Sequence, residues 1–580
     1  MKIRNLLLAG LVTILAWSCS EDVLQGGGTT TPEATSKKYM EVSIKMPATT
    51  RTGTSNSMDT EAGKDYENKV NEVLVVVLNS DTENSEGDIC FVKSVKTAAN
   101  SNTTTEGVHT GSNNSTVTAR INDVPLETES DKYYIVYAFI NPTQKMVEMY
   151  GEPKRRDWKD FYEQAAGTDV TAFINSYANK ENSSFFMTDT GADAELSKYE
   201  AKKAEAFAEQ GKGSGEYKLS ATVKVERAVA RFDYKASKTD NIYYFPLGSD
   251  GSEPEEGKAD LAIQLEGYKL MNVSKSFYHL RRVTKADATG TAASEESTDI
   301  TYGGLETSTN YVVDCDWTGK KAWLVDPNAD GEFDKRAELF FTPLNPPAGT
   351  SSGGYKPLED LEDSDNDEYE NKDYYIMGYC TENTIPSIAG QLSGISTAMV
   401  FKAKVSGKLM NEADMTALYE YNGMVYNKWD YFKTAWNNQH EEGDKIDDKQ
   451  DAEPTGDDLK ALKVKIGGEV KRIPIFDKNE ENPYGYVYYI YRNRHNDNNL
   501  PAVMGTMEFA VVRNNIYKLT VSKIAKLGYT NDPTEPPTTD PEPEVDPPTP
   551  DLPDEDSKAY MEVTVNILNW TVRENEIVFD

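Results

Sequence analysis

The sequence predicts an all-β protein with helical insertions, arranged as two β-sandwich domains and closed by a separate C-terminal strand. Three observations carry that prediction. The chain has 580 residues, more than one hydrophobic core organises. Its apolar residues fall in short β-rich runs separated by Gly, Asn, Asp and Pro, the pattern of sandwiches and not of βαβ units. One strand-like segment near the start, Lys37-Lys38-Tyr39-Met40-Glu41-Val42-Ser43-Ile44-Lys45-Met46, returns near the end as Lys558-Ala559-Tyr560-Met561-Glu562-Val563-Thr564-Val565-Asn566-Ile567.

From the beginning, Lys2 and Arg4 precede an apolar run over 6–17 that is too short to remain as a spanning helix and reads as a secretory signal. Leu15-Ala16-Trp17-Ser18-Cys19 resembles the lipobox of bacterial lipoproteins, with Trp17 bulky for that motif, and Cys19 is then the lipidated residue. The following Ser20-Glu21-Asp22 resembles the acidic tether that sends Bacteroidetes lipoproteins to the cell surface. An ordinary cleaved signal peptide with an incidental cysteine is the alternative. Residues 26–32 are Gly/Thr-rich and read as a flexible tether.

The first strand copy alternates, so that Met40, Val42, Ile44 and Met46 share one face. It ends at Pro47 and runs into 48–55, small and polar with a single basic residue, Arg51, the kind of segment proteases reach most easily. Strands are then expected over 73–78, 133–140, 221–234, 268–273, 339–341, 374–379, 398–405, 486–491 and 507–524. Helical insertions are expected over 156–166, 197–210 and 412–436, crossing over the sheets. A break at 235–240, after the strand through Arg231 and Phe232, is the expected domain boundary.

Residues 531–557 are dominated by Pro, Asp, Glu and Thr and form no core. At about 3.1 Å per residue, a Pro-rich segment of roughly 25 residues reaches on the order of 75 Å, so the last strand need not pair within its own molecule. Past this linker Met561, Val563, Val565 and Ile567 alternate, and the apolar parity then shifts to Leu568, Trp570 and Val572, as a bulge or a bend onto a second sheet would produce.

The repeat has a mechanical meaning. A groove that holds first one segment and later the other requires the same side chains in the same register, because a one-residue slip turns the apolar row outward. Met40, Val42, Ile44 and Met46 then belong to the displaced strand. Tyr560, Met561, Val563, Val565, Ile567, Leu568, Trp570 and Val572 belong to a donor strand. Burying four side chains does not offset the entropy of ordering ten residues, so the whole span 560–578 is expected to insert. The competing reading makes both copies ordinary strands of the protein's own sheets.

Other chemistry is sparse. Lys plus Arg number 61 against 96 Asp plus Glu, and a net charge of −35 repels nucleic acid and anionic membrane surfaces. Cys90, Cys315 and Cys380 make no disulfide framework and no zinc spacing, and read as buried small hydrophobes. His109, His279, His440 and His495 are isolated, and Gly390-Gln391-Leu392-Ser393-Gly394 misses the nucleophile-elbow spacing, so no enzyme is expected. Asp326-Pro327-Asn328-Ala329-Asp330-Gly331 matches the start of a calcium loop, with Asp326, Asn328 and Asp330 as ligands, but Ala337 stands where the closing ligand belongs. The favoured reading there is an acidic turn before a strand at Leu339, and no cofactor is expected.

On these residues the chain resembles the major fimbrial subunits, or fimbrillins, of the Bacteroidetes type V pilins, most nearly the shaft proteins of Porphyromonas minor (short) fimbriae. The resemblance rests on Cys19, on Val223-Lys224-Val225-Glu226-Arg227-Ala228-Val229-Ala230-Arg231, and on Thr381-Glu382-Asn383-Thr384. It rests also on Val511-Val512-Arg513-Asn514-Asn515-Ile516-Tyr517-Lys518-Leu519-Thr520-Val521 and on Leu568-Asn569-Trp570. It implies two transthyretin-like Greek-key sandwiches and a lipoprotein precursor at the outer membrane, cut by an arginine-specific protease between Arg51 and Thr52. It implies assembly of identical subunits by donor-strand exchange into a surface fimbrium, with anchor and tip subunits and with host or bacterial surface receptors as further partners.

The expected organisation is a signal peptide and lipobox at 1–19, a propeptide with the first strand at 20–51, and sandwiches at 52–236 and 237–530. A linker follows at 531–557 and a donor strand at 558–580. Two other readings compete. One is a surface glycan-binding lipoprotein, for which the 34 tyrosines are weak support, since clustered tyrosines more often pack strands than form sugar platforms. The other is a tip or anchor fimbrial subunit. A tip subunit would lack a donor strand.

Overall fold

A computed structural model describes residues 37–45, 60–80, 88–99, 105–110, 116–125, 133–151, 185–190, 202–203, 208–210, 216–245, 254–255, 258–293, 301–302, 310–317, 320, 354–361, 374–392, 394–410, 416–476, 484–498, 500, 503–534 and 561–571. It is an all-β fold with a few short helices.

The strands that precede the first sheet-to-sheet crossing are β1 (Lys37–Lys45), β2 (Thr60–Ala62), β3 (Glu72–Ser80), β4 (Asp88–Lys96), β5 (Gly107–Thr110), β6 (Thr116–Asn122), β7 (Tyr133–Ile140), β8 (Met187–Asp189), β9 (Lys202–Lys203), β10 (Ala208–Gln210) and β11 (Glu216–Arg227). All but β2 belong to one sheet, ordered β4-β3-β7-β8-β11-β1-β6-β5, with β10 beside β11 and β9 beside β7. That sheet folds on itself. The long strand β11 pairs with β1 up to Lys224 and with β8 from Val225, so it turns the corner between two layers. The apolar faces of β1, β6 and β11 then pack against Val73, Val75 and Val77 of β3 and Ala138 and Ile140 of β7.

The run over 73–78 shows no alternation, and its surroundings explain why. The opposite face of β3 is also covered: Leu74, Val76 and Leu78 pack with Tyr137 and Phe139 beneath helix α1 (Gln144–Gly151) and against Phe277 and Leu280. A strand buried on both faces needs apolar residues at every position.

The second sandwich contains β12 (Ala230–Ala236), β13 (Ile242–Phe245), β14 (Leu261–Met271), β15 (Arg282–Lys285), β16 (Thr301–Tyr302), β17 (Asn310–Val312), β18 (Lys356–Pro357), β19 (Tyr375–Cys380) and β20 (Ala398–Ser406). It continues with β21 (Ala417–Tyr421), β22 (Met424–Tyr426), β23 (Val470–Pro474), β24 (Gly485–Arg492), β25 (Asn515–Ile524) and β26 (Met561–Thr571). One layer runs β19-β12-β25-β26-β2 and the facing layer β13-β14-β20-β24. Phe232, Leu519 and Val521 of the first meet Ile263, Phe401 and Val487 of the second in a common core. An insertion between β20 and β24 has its own core, in which Tyr419 and Tyr421 of β21 pack against Trp429, Phe432 and Trp436 of a helix (Trp429–Gln439).

Several expectations need correction. The run over 221–234 is two strands: the chain leaves one sheet and enters the other at Ala228 and Val229, ahead of the expected boundary at 236/237. The crossing is fixed from both sides, with Ala228 N–H donating to the Phe186 carbonyl at 3.1 Å and Asn514 N–H to the Val229 carbonyl at 2.9 Å. Within the expected helix over 197–210, β9 and β10 instead extend the first sheet, pairing with β7 and β11. In the expected helix over 412–436 the β21–β22 hairpin comes first, and a helix begins only at Trp429. Of the run over 507–524 only β25 is strand, because Met507 and Asn514 both adopt φ of 59°, in the left-handed region. The expected helix at 156–166 and strand at 339–341 lie outside the described residues.

Candidate strand-exchange slots

The two copies of the repeated segment occupy two different slots. β1 lies in the middle of the first sheet, parallel to β11 along its whole length and antiparallel to β6 from Tyr39 to Lys45. The register stacks three apolar rows: Met40 between Ile121 and Leu219, Val42 between Ala119 and Ala221, and Ile44 between Val117 and Val223. Met40, Val42 and Ile44 are completely buried. At about 1.5–3 kcal/mol for each such side chain, their burial contributes on the order of 5–9 kcal/mol.

The opposite face of β1 is polar and is engaged by Arg120. Arg120 of β6 sits directly across from Glu41, with Nη1 donating to Oε1 at 2.8 Å, and its guanidinium carbon lies 3.8 Å from the centre of the Tyr39 ring. Its Nε also donates to Asn122 Oδ1 at 3.3 Å. Sequence reasoning alone misses this cluster, although an arginine in a strand of alternating polarity and the Tyr-x-Glu spacing of both copies are visible in the chain.

β26 lies in the second sandwich, antiparallel to β25 from Met561 (opposite Ile524) to Asn569 (opposite Asn515). Its other neighbour is β2, parallel and only three residues long. Pairing passes without interruption from Ile567, opposite Tyr517, to Leu568, opposite Ile516. The bulge expected there is absent; the register shift falls instead between Val521 and Lys523 of β25. Positions 561, 563, 565, 567, 568 and 570 of the expected donor strand therefore all lie on β26, the first five paired with β25 and the last with Glu61 of β2 in their own chain. Cys19, Met46, Arg51, Thr52, Tyr560, Val572 and the calcium-loop residues Asp326, Asn328 and Asp330 lie outside the described residues.

The motifs of the resemblance converge on the joint between the sandwiches. Arg231 donates to Glu67 Oε2 at 3.1 Å and to Asp233 Oδ2 at 2.8 Å, while the Tyr379 hydroxyl donates to Glu67 Oε1 at 2.6 Å. Glu67 and Arg231 are both essentially inaccessible to water, so the charges are compensated inside the protein. Arg227 donates to the Glu67 carbonyl at 3.3 Å and to the Asn68 side chain. Burial, opposed by Glu67 and reinforced by neighbouring Arg231, pulls the Arg227 guanidinium down. Arg513 donates to Glu382 at 2.6 Å, Arg281 pairs with Glu226, and Asn383 exchanges backbone hydrogen bonds with Val511. Segments 223–231, 381–384 and 511–521 thus meet at one structural joint.

Cys380 is buried and Cys90 and Cys315 half-buried, and none of the three is in a disulfide. Among the described residues no trio of His, Cys, Asp or Glu is placed to hold a metal, and no helix is long and apolar enough to cross a membrane.

No curated protein matches the chain. Among solved structures, the tip fimbrial protein Mfa3 of Porphyromonas gingivalis, with C-terminal truncation, aligns over 92% of this chain and 100% of its own at 10% identity and a TM-score of 0.34. A candidate cell adhesion protein of Bacteroides eggerthii aligns over 92% of this chain and 97% of its own at 9% identity and a TM-score of 0.33. The stretch that contains β24, β25, β26 and the Arg513 joint, residues 482–576, matches the family of major fimbrial subunit protein type IV, fimbrillin, C-terminal.

Proposed function

We propose that the chain is a structural, non-enzymatic subunit of a cell-surface fimbrium, a shaft pilin that polymerises by protease-triggered strand exchange and supports adhesion. In this reading the exported precursor is lipidated at Cys19 and held at the outer membrane. An arginine-specific protease then cuts between Arg51 and Thr52. Identical subunits are the main partners, with anchor and tip subunits at the ends of the fibre, surface receptors as adhesion targets, and no cofactor required.

The observation that carries the reading is that β1, a central strand with a completely buried apolar row, has its side-chain pattern repeated in β26 within the segment that matches the fimbrillin C-terminal family. Cutting in the 46–59 connection leaves β1 held by non-covalent contacts alone. While tethered, a strand rebinds at a millimolar effective concentration; once cut, it competes at its true dilution. The vacated slot exposes two unpaired strand edges and an apolar floor, which a neighbour's 560–578 segment fills.

Treatment of the purified precursor with an arginine-specific protease is expected to give ladders on non-boiled gels. Neither R51A nor a chain ending at Ser557 should give them. Unchanged ladders from both variants would refute the scheme.

A further inference from the structure

An apolar row with a period of two leaves its own register ambiguous. If Met561, Val563, Val565 and Ile567 enter the β1 slot, a slip of two residues still sets apolar side chains beside Ile121, Ala119 and Val117 of β6. Only a feature that does not repeat every two residues can tell the correct register from the slipped one.

Arg120 is such a feature. It engages Tyr39 and Glu41 together, one by its guanidinium face and one by its Nη1, two positions apart on the outer face of β1. Arg120 is 12% exposed and Glu41 25%, so the contact is sheltered but reachable from solvent. The C-terminal copy carries the same Tyr-x-Glu spacing at Tyr560 and Glu562, in the same phase relative to its apolar row. A slip of two in one direction brings Thr564 opposite Arg120, and in the other Tyr560; neither supplies a carboxylate there.

We propose that Arg120 is the register-setting residue of subunit joining, recognising Tyr560 and Glu562 of a second copy of this chain in place of its own Tyr39 and Glu41. The inference rests on the strand-exchange reading. It assigns Arg120 a positioning role: the residue selects which alignment of the incoming strand is kept, while burial of the apolar row holds the strand.

Charge reversal tests it in the full-length precursor. In E41R/R120E the internal pair is kept with its signs exchanged, so the uncut protein should melt near the wild-type temperature. After proteolysis it should polymerise about tenfold more slowly, because the incoming Glu562 now faces a carboxylate. Adding E562R should restore the rate to within about threefold of wild type. E562R by itself, which leaves the slot untouched, should slow assembly by a similar factor and keeps the test open if the double variant folds poorly.

A register readout completes the test. Ser43 pairs with Thr118 across β1 and β6, and Thr564 takes the Ser43 position in the repeat. T118C/T564C should therefore form an intermolecular disulfide in fibres, and the added R120M should reduce its yield several-fold as slipped joints accumulate. Wild-type rates in both E41R/R120E and E562R, or an undiminished crosslink in R120M, would overturn the role of Arg120. If a chain ending at Ser557 still formed ladders, the strand-exchange reading would fall with it.

Discussion

The two copies of the Tyr-Met-Glu-Val segment sit in unlike surroundings. β1 is flanked along its length by long strands on both sides, whereas among the described residues β26 has a long partner in β25 and Thr60–Ala62 alone on the other side. Similar sequences thus make a central strand in one place and, among the described residues, a strand with one long partner in the other. The difference lies in the neighbours and not in the segment. On the strand-exchange reading proposed above, this difference is what each copy needs: the central strand would leave only after a covalent cut, while the other could peel away with its chain intact.

The most severe test of this asymmetry places a charge at equivalent positions. Val42 lies between Ala119 and Ala221 with no access to water, so V42D buries a carboxylate without a partner. It should cost about 3–5 kcal/mol and lower the melting temperature of the precursor by roughly 10 °C or more. V563D should cost the precursor at most about 2 kcal/mol, since β26 can detach without opening a sheet centre, and yet it should abolish ladder formation. Equal destabilisation by the two substitutions would remove the asymmetry.

Hydrogen exchange sharpens the comparison without mutation. In the uncut protein the amides of residues 40–44 should be protected at least about a hundredfold more than those of 563–567, because opening β1 breaks two ladders and opening β26 breaks one along most of its length. After the cut the order should invert as β26 enters a slot between two long strands. Matched protection before cleavage would mean that the second slot holds its strand as firmly as the first.

How much of this was legible in the sequence differs between elements. β7 and β20 match the expected runs closely, because their apolar residues mark buried faces whatever surrounds them. The central position of β1 was not legible, since period-two alternation gives a buried face but not the number of flanking strands. Nor was the fate of residues 202–203 and 208–210, whose charged, helix-favouring sequence is overridden by edge pairing with β7 and β11. Arg227 and Arg231 read as a motif, but their burial depends on Glu67, Asn68 and Tyr379, which are remote in sequence. The Arg120 cluster needed the β1–β6 register before its three members could be seen as one site.

Acid separates the strength of the slots from that of the joint. His279 accepts or donates a 3.0 Å hydrogen bond with the Tyr150 hydroxyl and packs edge-on against Phe139, across the boundary between the two sandwiches. Burial first, then the positive charges of Arg513 and Arg282, push its pKa down to about 3. The folded state therefore resists protonation that the unfolded chain accepts near 6.5, so the stability is complete above that value and is lost as the pH falls towards 3. Asp316 acts in the opposite sense. Burial and the adjacent Asp314 raise its carboxyl to about 6, so protonation between about 6 and 3.8 favours the folded state. The contribution of His279 is then read as a difference: between pH 7 and pH 5 the wild type should lose about 2 kcal/mol relative to H279Q. Protection of β1 by the slot should change little over the same range.

The smallest expected effect bears on the nature of the outer-face contact. Glu41 and Arg120 form a pair at the edge of solvent, and such pairs contribute at most about 1 kcal/mol and weaken with salt. E41Q should therefore lower the stability of the precursor by about 0.5–1 kcal/mol, an effect largely screened away in high salt, while Arg120 keeps its stacking on Tyr39. That modest value is what a register device requires. A contact strong enough to hold the strand would also retain slipped or premature partners, whereas one worth roughly a two- to fivefold preference selects among alignments that the apolar row stabilises almost equally. A loss of about 3 kcal/mol or more in E41Q would instead make the pair a principal anchor of β1, and the division between an apolar row that holds and a polar pair that aligns would fail.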